Sequence, residues 1–249
     1  ILSSLTENGN TGVRLSTANA SNHGDIGSNA VDLSYQSSTS STRGATGVRA
    51  VAMGLKTTAS GTNSTAMGNL TTASGNQTTA MGFQSTASGD SSTAIGRSTT
   101  ASGSYSTAMG QSTTASGDNS TALGYYTSAS GGYGAIAMGN QTTASGANST
   151  VMGEGGTASG AASTAMGRGT TASDYASLVI GQYNSSGSSV TNNATSFNTA
   201  NTAFVIGNGT ASNAKSDAFK VMFNGDTYIS SSLYIGGTAI TSTAAEINL

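Results

Sequence analysis

The chain has 249 residues, carries a formal charge of −2, and contains 35 Gly but no Cys, Pro or Trp; charged residues make up only 7%. Without cysteine there is no disulfide framework and no thiolate metal site, and eight Lys and Arg leave no cationic cluster for a nucleic-acid backbone. No run of about 18 apolar residues is present, so no membrane insertion is expected of this segment, and glycine does not recur every third residue as collagen demands.

Residues 1–43 are polar, with scattered apolar positions, and form a lead-in or cap; Ile26, Val31, Leu33 and Tyr35 suggest a short strand region. The chain opens at Ile1 with no basic segment or apolar signal core, which suggests a processed product or an incomplete stretch of a longer protein.

Residues 44–182 are a repeat array. The unit is 14 residues long and has two related halves, as in STAMGNL followed by TTASGNQ. Its apolar anchor falls at Met53, Met67, Met81, Ile95, Met109, Leu123, Met138, Met152, Met166 and Ile180, with a one-residue insertion between Leu123 and Met138. A coiled coil is excluded by residue type: each half carries Gly, which costs about 1 kcal/mol per site in a helix. Thr-Ala-Met and Thr-Ala-Ser bounded by Gly read instead as short strands ended by turns. One unit is therefore one coil of a β-solenoid, and the fold class is all-β.

Strand alternation sets the geometry. In Thr65-Ala66-Met67 the alanine faces one way and Thr and Met the other; Thr72-Ala73-Ser74 splits alike. The interior is so thin that only Ala is expected to fit, at Ala66, Ala73, Ala80, Ala87 and their equivalents. Gly68, Gly75, Gly82 and Gly89 are placed at turns with positive φ. The anchor ladder points out of its own coil and would leave a continuous apolar stripe on a monomer. Two positions before the anchor, Thr gives way to Val51, Ile136 and Leu178 near the array's ends and insertion, as an axis-facing column would require. These features predict oligomers with the ladders meeting on an axis. The alternative is a ladder covered by a loop of the same chain.

At these residues the chain resembles the head repeats of trimeric autotransporter adhesins, with S-T-A-M-G where that family typically has S-V-A-I-G. The resemblance covers residues 44–182 and implies a left-handed parallel β-roll, a homotrimer, and the ten-residue ladder on the trimer axis. Asn10 to Gly47 resembles the lead-in before such repeats in phage tail-fibre and marine bacterial surface proteins. Ala203 to Ile229 resembles segments that precede an intramolecular chaperone domain in trimeric fibres, and Ile240 to Leu249 resembles the start of a tail-fibre motif. The chain is accordingly expected to stop short of such a chaperone.

Residues 183–202 lack periodicity and read as a linker or fold transition. Residues 203–249 read as a β-rich neck or fibre segment, with strand-like runs at Phe204 to Ile206, Phe219 to Phe223, Tyr228 to Ile229 and Leu233 to Ile235 and a turn signal at Asn224-Gly225. Thr241 to Leu249 could begin a helix.

Catalysis has little to work with. His23 is the sole histidine and reads as part of a surface loop. Asp90 and Asp118 lie two coils apart, about 10 Å by coil spacing, where a retaining-type carboxylate pair would need about 5 Å, and Asp is a favoured turn residue. No catalytic residue, metal site or cofactor is expected. Tyr105 and Tyr133 are placed at matching register, and Tyr125, Tyr126 and Tyr133 around the insertion as an aromatic patch; these four are candidate contacts for a cell-surface glycan or receptor.

The leading function is thus a structural and adhesive segment of a trimeric fibre: a phage tail fibre attaching to its host, located on the virion, or a bacterial surface adhesin, located outside the cell. Two further readings stand beside it. Thr58, Thr72, Thr86, Thr100, Thr114, Thr143, Thr157 and Thr171 form a ladder that suits an ice-binding solenoid, though Ser128 interrupts it. Parallel coils also suit a self-stacking extracellular filament.

Overall fold

The structure, a computed structural model, describes residues 2–235 and 238–239; the helix expected at Thr241 to Leu249 lies outside the described residues. The described residues are all-β apart from one 3₁₀ turn at Ala20–Asn22. Two sheets run the length of the molecule. The larger has 16 strands and the smaller has ten two-residue strands, from Gly44–Ala45 to Thr171–Ala172. Each coil contributes one five-residue strand, such as Thr65–Asn69, to the large sheet and one Thr-Ala strand, such as Thr72–Ala73, to the small one. Equivalent residues pair in parallel from coil to coil: Thr65 with Thr79, Ala66 with Ala80, Met67 with Met81. The chain is a parallel β-solenoid of 14-residue coils.

The register runs on past the periodic sequence. Val31–Tyr35 pairs with Val51–Leu55, and Thr202–Asn208 pairs with Leu178–Gln182, both in parallel. Residues 183–202 are therefore an excursion between two neighbouring long strands. The ends of the large sheet differ from its middle. A hairpin of Leu2–Glu7 and Asn10–Leu15, turning at Asn8 and Gly9, closes one end. The antiparallel strands Asp217–Met222 and Thr227–Ile229 close the other.

The core is the predicted file of alanines. Ala66, Ala73, Ala80, Ala87 and their equivalents are fully buried. It is not alanine alone: Ser and Thr columns, such as Ser64, Thr71 and Thr99, are equally buried at the two corners of each coil. Their side chains are short enough for the bends, and some hydroxyls return to the backbone, as Thr78 Oγ1 does by donating to the Gly75 carbonyl at 2.7 Å. Val151 replaces an interior alanine, and Gly156 stands at the facing corner where most coils carry Thr. A Cβ at Gly156 would lie 2.9 Å from a Val151 methyl, so the two departures compensate in volume.

The glycines correct the expectation in part. Gly68 and Gly82 do have positive φ, +122° and +111°. Gly75 and Gly89 do not; they are glycine because a Cβ there would strike the backbone of the next coil. The left-handed turn residues are mostly other types, including Leu70, Gln77, Tyr105 and Tyr126, with φ of +52° to +59°.

Candidate functional site

The anchor ladder is built by the centre of each long strand. Met53, Met67, Met81, Ile95, Met109, Leu123, Met138, Met152, Met166 and Ile180 are each paired with the next through in-register parallel strands. Their inward neighbours on the strand are the buried Ala66, Ala80, Ala94 and equivalents, so the ladder side chains stand on the opposite face. All ten are partly exposed; Met53 and Met109 reach 38% and 39%. The ladder is longer than the repeat showed, because Leu33 pairs with Met53 and Ile206 pairs with Ile180. Beside it runs the second file, mostly Thr, with Val31, Val51, Ile136, Leu178 and Phe204 at its ends and beside the insertion. The two files carry no charge over twelve coils. The stripe is a long, uncharged, partly exposed apolar surface.

The four tyrosines fall on two different edges. Tyr125 ends the long strand Thr121–Tyr125 and Tyr126 follows it, on the turn into Ser128–Ala129, with ring centroids 4.5 Å apart and edge-to-face. Tyr105 and Tyr133 lie on the opposite turns, which lead back into the long strands. Nor are Tyr105 and Tyr133 in matching register. Tyr133 bridges to Asp118, while Tyr105 donates its amide to Asp90 in the way Gly134 donates to Asp118. The inserted residue precedes Tyr133 and shifts it by one place. The expected patch of Tyr125, Tyr126 and Tyr133 is therefore divided. All four rings are exposed, from 44% to 66%.

His23 also corrects the reading. It is 7% exposed, not a surface-loop residue, and its Nδ1 lies 2.8 Å from Asp32 Oδ2. Asp32 is fully buried in the first coil, at the place that Ala52 takes in the next. Arg14, 4% exposed, reaches it from the hairpin with Nε 3.2 Å from Oδ2, and also donates to Glu7 at 3.0 Å and to the Gly24 carbonyl at 2.8 Å. Burial pushes the Asp32 carboxyl up, but hydrogen bonds from His23 and from the Ser34 hydroxyl and amide outweigh it and hold it below the ordinary value of 3.8. Ser21, Ser40 and Ser41 line a cavity of about 540 Å³ beside His23, and none of them hydrogen bonds to the imidazole. The cluster supports the fold: it places the Arg14 guanidinium and several hydrogen-bonding groups around a carboxylate where the repeat has a methyl group.

The turn carboxylates also have a role that composition could not reveal. Asp90 Oδ1 accepts the Asn76 amide at 2.9 Å, and Asp118 Oδ1 accepts the Ser104 amide at 2.9 Å, each from the preceding coil. They tie neighbouring coils together. Among the described residues no group of three or more His, Asp or Glu side chains could hold a metal ion.

With this geometry in view, the family comparison is decisive. The YadA head domain repeat matches residues 45–71, 73–99, 101–127, 130–154 and 158–184, just over half of the chain. The chain belongs to the YadA head domain repeat family. The matched blocks lie in the stacked coils, and their phase puts the ladder residues at one place in every YadA head repeat. No curated protein matches the chain.

Proposed function

We propose that this chain is the structural and adhesive segment of a homotrimeric surface fibre, with the ladder from Met53 to Ile180 on the three-fold axis. The observation that carries the reading is the uncharged, partly exposed ladder, unbroken through every coil of a YadA head array. A solenoid lined by alanine buries little apolar area of its own, and stability scales with that area at about 25 cal/mol per Å². Closing three ladders on one another supplies the missing burial and removes the stripe from water. The family membership supports an extracellular, cell-surface location and a bacterial surface adhesin. The resemblance of the flanks to tail-fibre segments supports the second owner, a phage fibre that attaches to its host. In both, the roll is a stiff, non-catalytic spacer that presents its edges to a cell-surface glycan or receptor, and the exposed tyrosines are its candidate contacts.

Light scattering on the purified chain tests the assembly. The expected mass is three times the 24.2 kDa chain. A chain that stays monomeric at micromolar concentration with its β-structure intact removes the axis.

A further inference from the structure

The turn carrying Tyr125 and Tyr126 recurs in every coil, and the residue after its first variable place is left-handed throughout: Lys56, Leu70, Gln84, Ser98, Ser112, Tyr126, Gln141, Gly155, Gly169 and Tyr183. At Gly155 and Gly169 this column has no side chain, so two coils form a notch in an otherwise continuous edge. A cavity of about 310 Å³ occupies the notch. A Cβ at Gly155 would meet nothing within 4 Å. At Gly169 the space is taken by the Tyr183 ring, which folds back over the glycine.

The Tyr183 main chain is held in place. Its backbone amide donates to the Arg168 carbonyl at 3.0 Å, and its carbonyl accepts from Ser216 at 3.1 Å. It holds φ +41°, a strained value for an aromatic residue. The same place is left-handed in every coil, and here it sets one apolar ring wall beside polar groups. Arg168 stands 5.7 Å from the ring centre, and Gln141, Glu154 and Lys215 line the same space. Two cations face one carboxylate. The Arg168–Glu154 pair is long, 3.6 Å, and both side chains are more than half exposed, so it contributes little and leaves guanidinium donors free.

We propose that this notch binds one carboxylated sugar ring, its apolar face against Tyr183 and its carboxylate between Arg168 and Lys215. The volume lies at the small end of ligand sites, which suits a single pyranose unit. A mixed lining of one aromatic wall and several hydrogen-bonding groups suits a polyhydroxylated ring, and the excess cation selects the acidic kind. The inference adds a ligand class to the adhesive reading, and its binding measurement does not depend on the oligomeric state.

The test is calorimetric titration of the full chain with 3′-sialyllactose, with trigalacturonate and with neutral lactose. At least one acidic sugar is expected to bind ten-fold or more tightly than lactose, and to weaken as salt is raised. Arg168→Gln and Gly155→Gln are each expected to lower that affinity at least ten-fold. Gly155→Gln folds because Gln84 and Gln141 already hold φ +53° and +54° in the same column. Equal binding of lactose and the acidic sugars, no saturable binding of any, or binding unchanged in both variants overturns the site. Light scattering on the same samples reads the assembly separately, so a failed trimer and a failed sugar site are distinguishable.

Discussion

Placing a charge on the ladder separates an axis from a merely exposed stripe. Met109 is 39% exposed in the protomer, while Ala108 beside it is fully buried. Complete burial of a methionine side chain stabilises by about 1.5–3 kcal/mol, so the exposed two-fifths of Met109 holds back about 0.6–1.2 kcal/mol. Met109 is the most exposed rung that the ladder has, so ten rungs sum to less than about 6–12 kcal/mol per chain. The proposed trimer gathers three such ladders, less than about 18–36 kcal/mol in all, against two association steps of about 4–15 kcal/mol each, so it stands on a narrow margin and needs most of its rungs dry. Met109→Asp brings three carboxylates together, each with a desolvation cost of several kcal/mol. Met109→Ala removes only about 1 kcal/mol per chain. The expected outcome is a monomer for Met109→Asp and a weakened trimer for Met109→Ala, by light scattering at micromolar concentration. The β-sheet circular dichroism is expected to persist below the melting transition in both, because the side chain points away from the coil interior, while the melting temperature falls with the lost axis burial. An aspartate variant that keeps the trimer mass and the wild-type melting temperature would show that Met109 does not face the axis.

Four other outcomes follow from the interior and the ends. Gly156→Thr alone overpacks against Val151 and is expected to cost about 1–3 kcal/mol; adding Val151→Ala restores the repeat's usual pair and most of the stability, a coupling that a double-mutant cycle in urea measures. Gly96→Ala drives a Cβ onto the Gly110 carbonyl at φ +136° and is expected to split the thermal transition or lower it, as differential scanning calorimetry reads. Asp32 has a depressed folded pKa, so its stabilisation is present above the unfolded value near 3.9 and is lost as pH falls through the folded one. The amide protection factors of the Leu2–Leu15 hairpin are accordingly expected to fall below about pH 4. Asp32→Ala, which leaves His23 without its carboxylate and Arg14 with Glu7 and the Gly24 carbonyl alone, is expected to cost about 1–3 kcal/mol at neutral pH.

The coil, the alanine interior and the outward ladder were legible because each follows from one local rule repeated many times: strand alternation between glycines. Three things escaped. The first and last long strands, Val31–Tyr35 and Thr202–Asn208, join the same register although their sequences leave the 14-residue phase, since pairing follows backbone position once neighbouring coils template it. The left-handed turn places accept Leu, Gln and Tyr, so glycine marks close approach between coils more often than turn conformation. The Arg14–Asp32–His23 cluster joins residues 9 and 18 positions apart in a stretch without period, where no spacing rule applies. The tyrosines illustrate the limit of counting. One inserted glycine ahead of Tyr133 moves it out of register with Tyr105, and turn alternation puts Tyr125 and Tyr126 on the other edge.

The end structures explain why such an array has a defined length. A parallel sheet ends in a row of open amides and carbonyls that could template another copy. On the small sheet, the amides of Gly24 and Gly27 donate to the carbonyls of Arg43 and Ala45 at one end. At the other end Asn184 does with its side chain what the next strand would do with its backbone: Oδ1 accepts the Thr171 amide at 2.7 Å and Nδ2 donates to the Thr171 carbonyl at 2.8 Å. The Gly187 carbonyl then accepts from Ser173, where each earlier coil offers an alanine carbonyl. Asp174 fixes this excursion by accepting the amides of Thr191 and Thr202. On the large sheet, strand direction reverses at both ends, and the first coil carries the Asp32 carboxylate in its interior. A second array stacking on that coil would have to displace Arg14 and bury the carboxylate without its partner, at a cost of several kcal/mol. The same residues that break the repeat therefore oppose end-to-end growth and leave the ladder as the long apolar surface through which copies of the chain can meet.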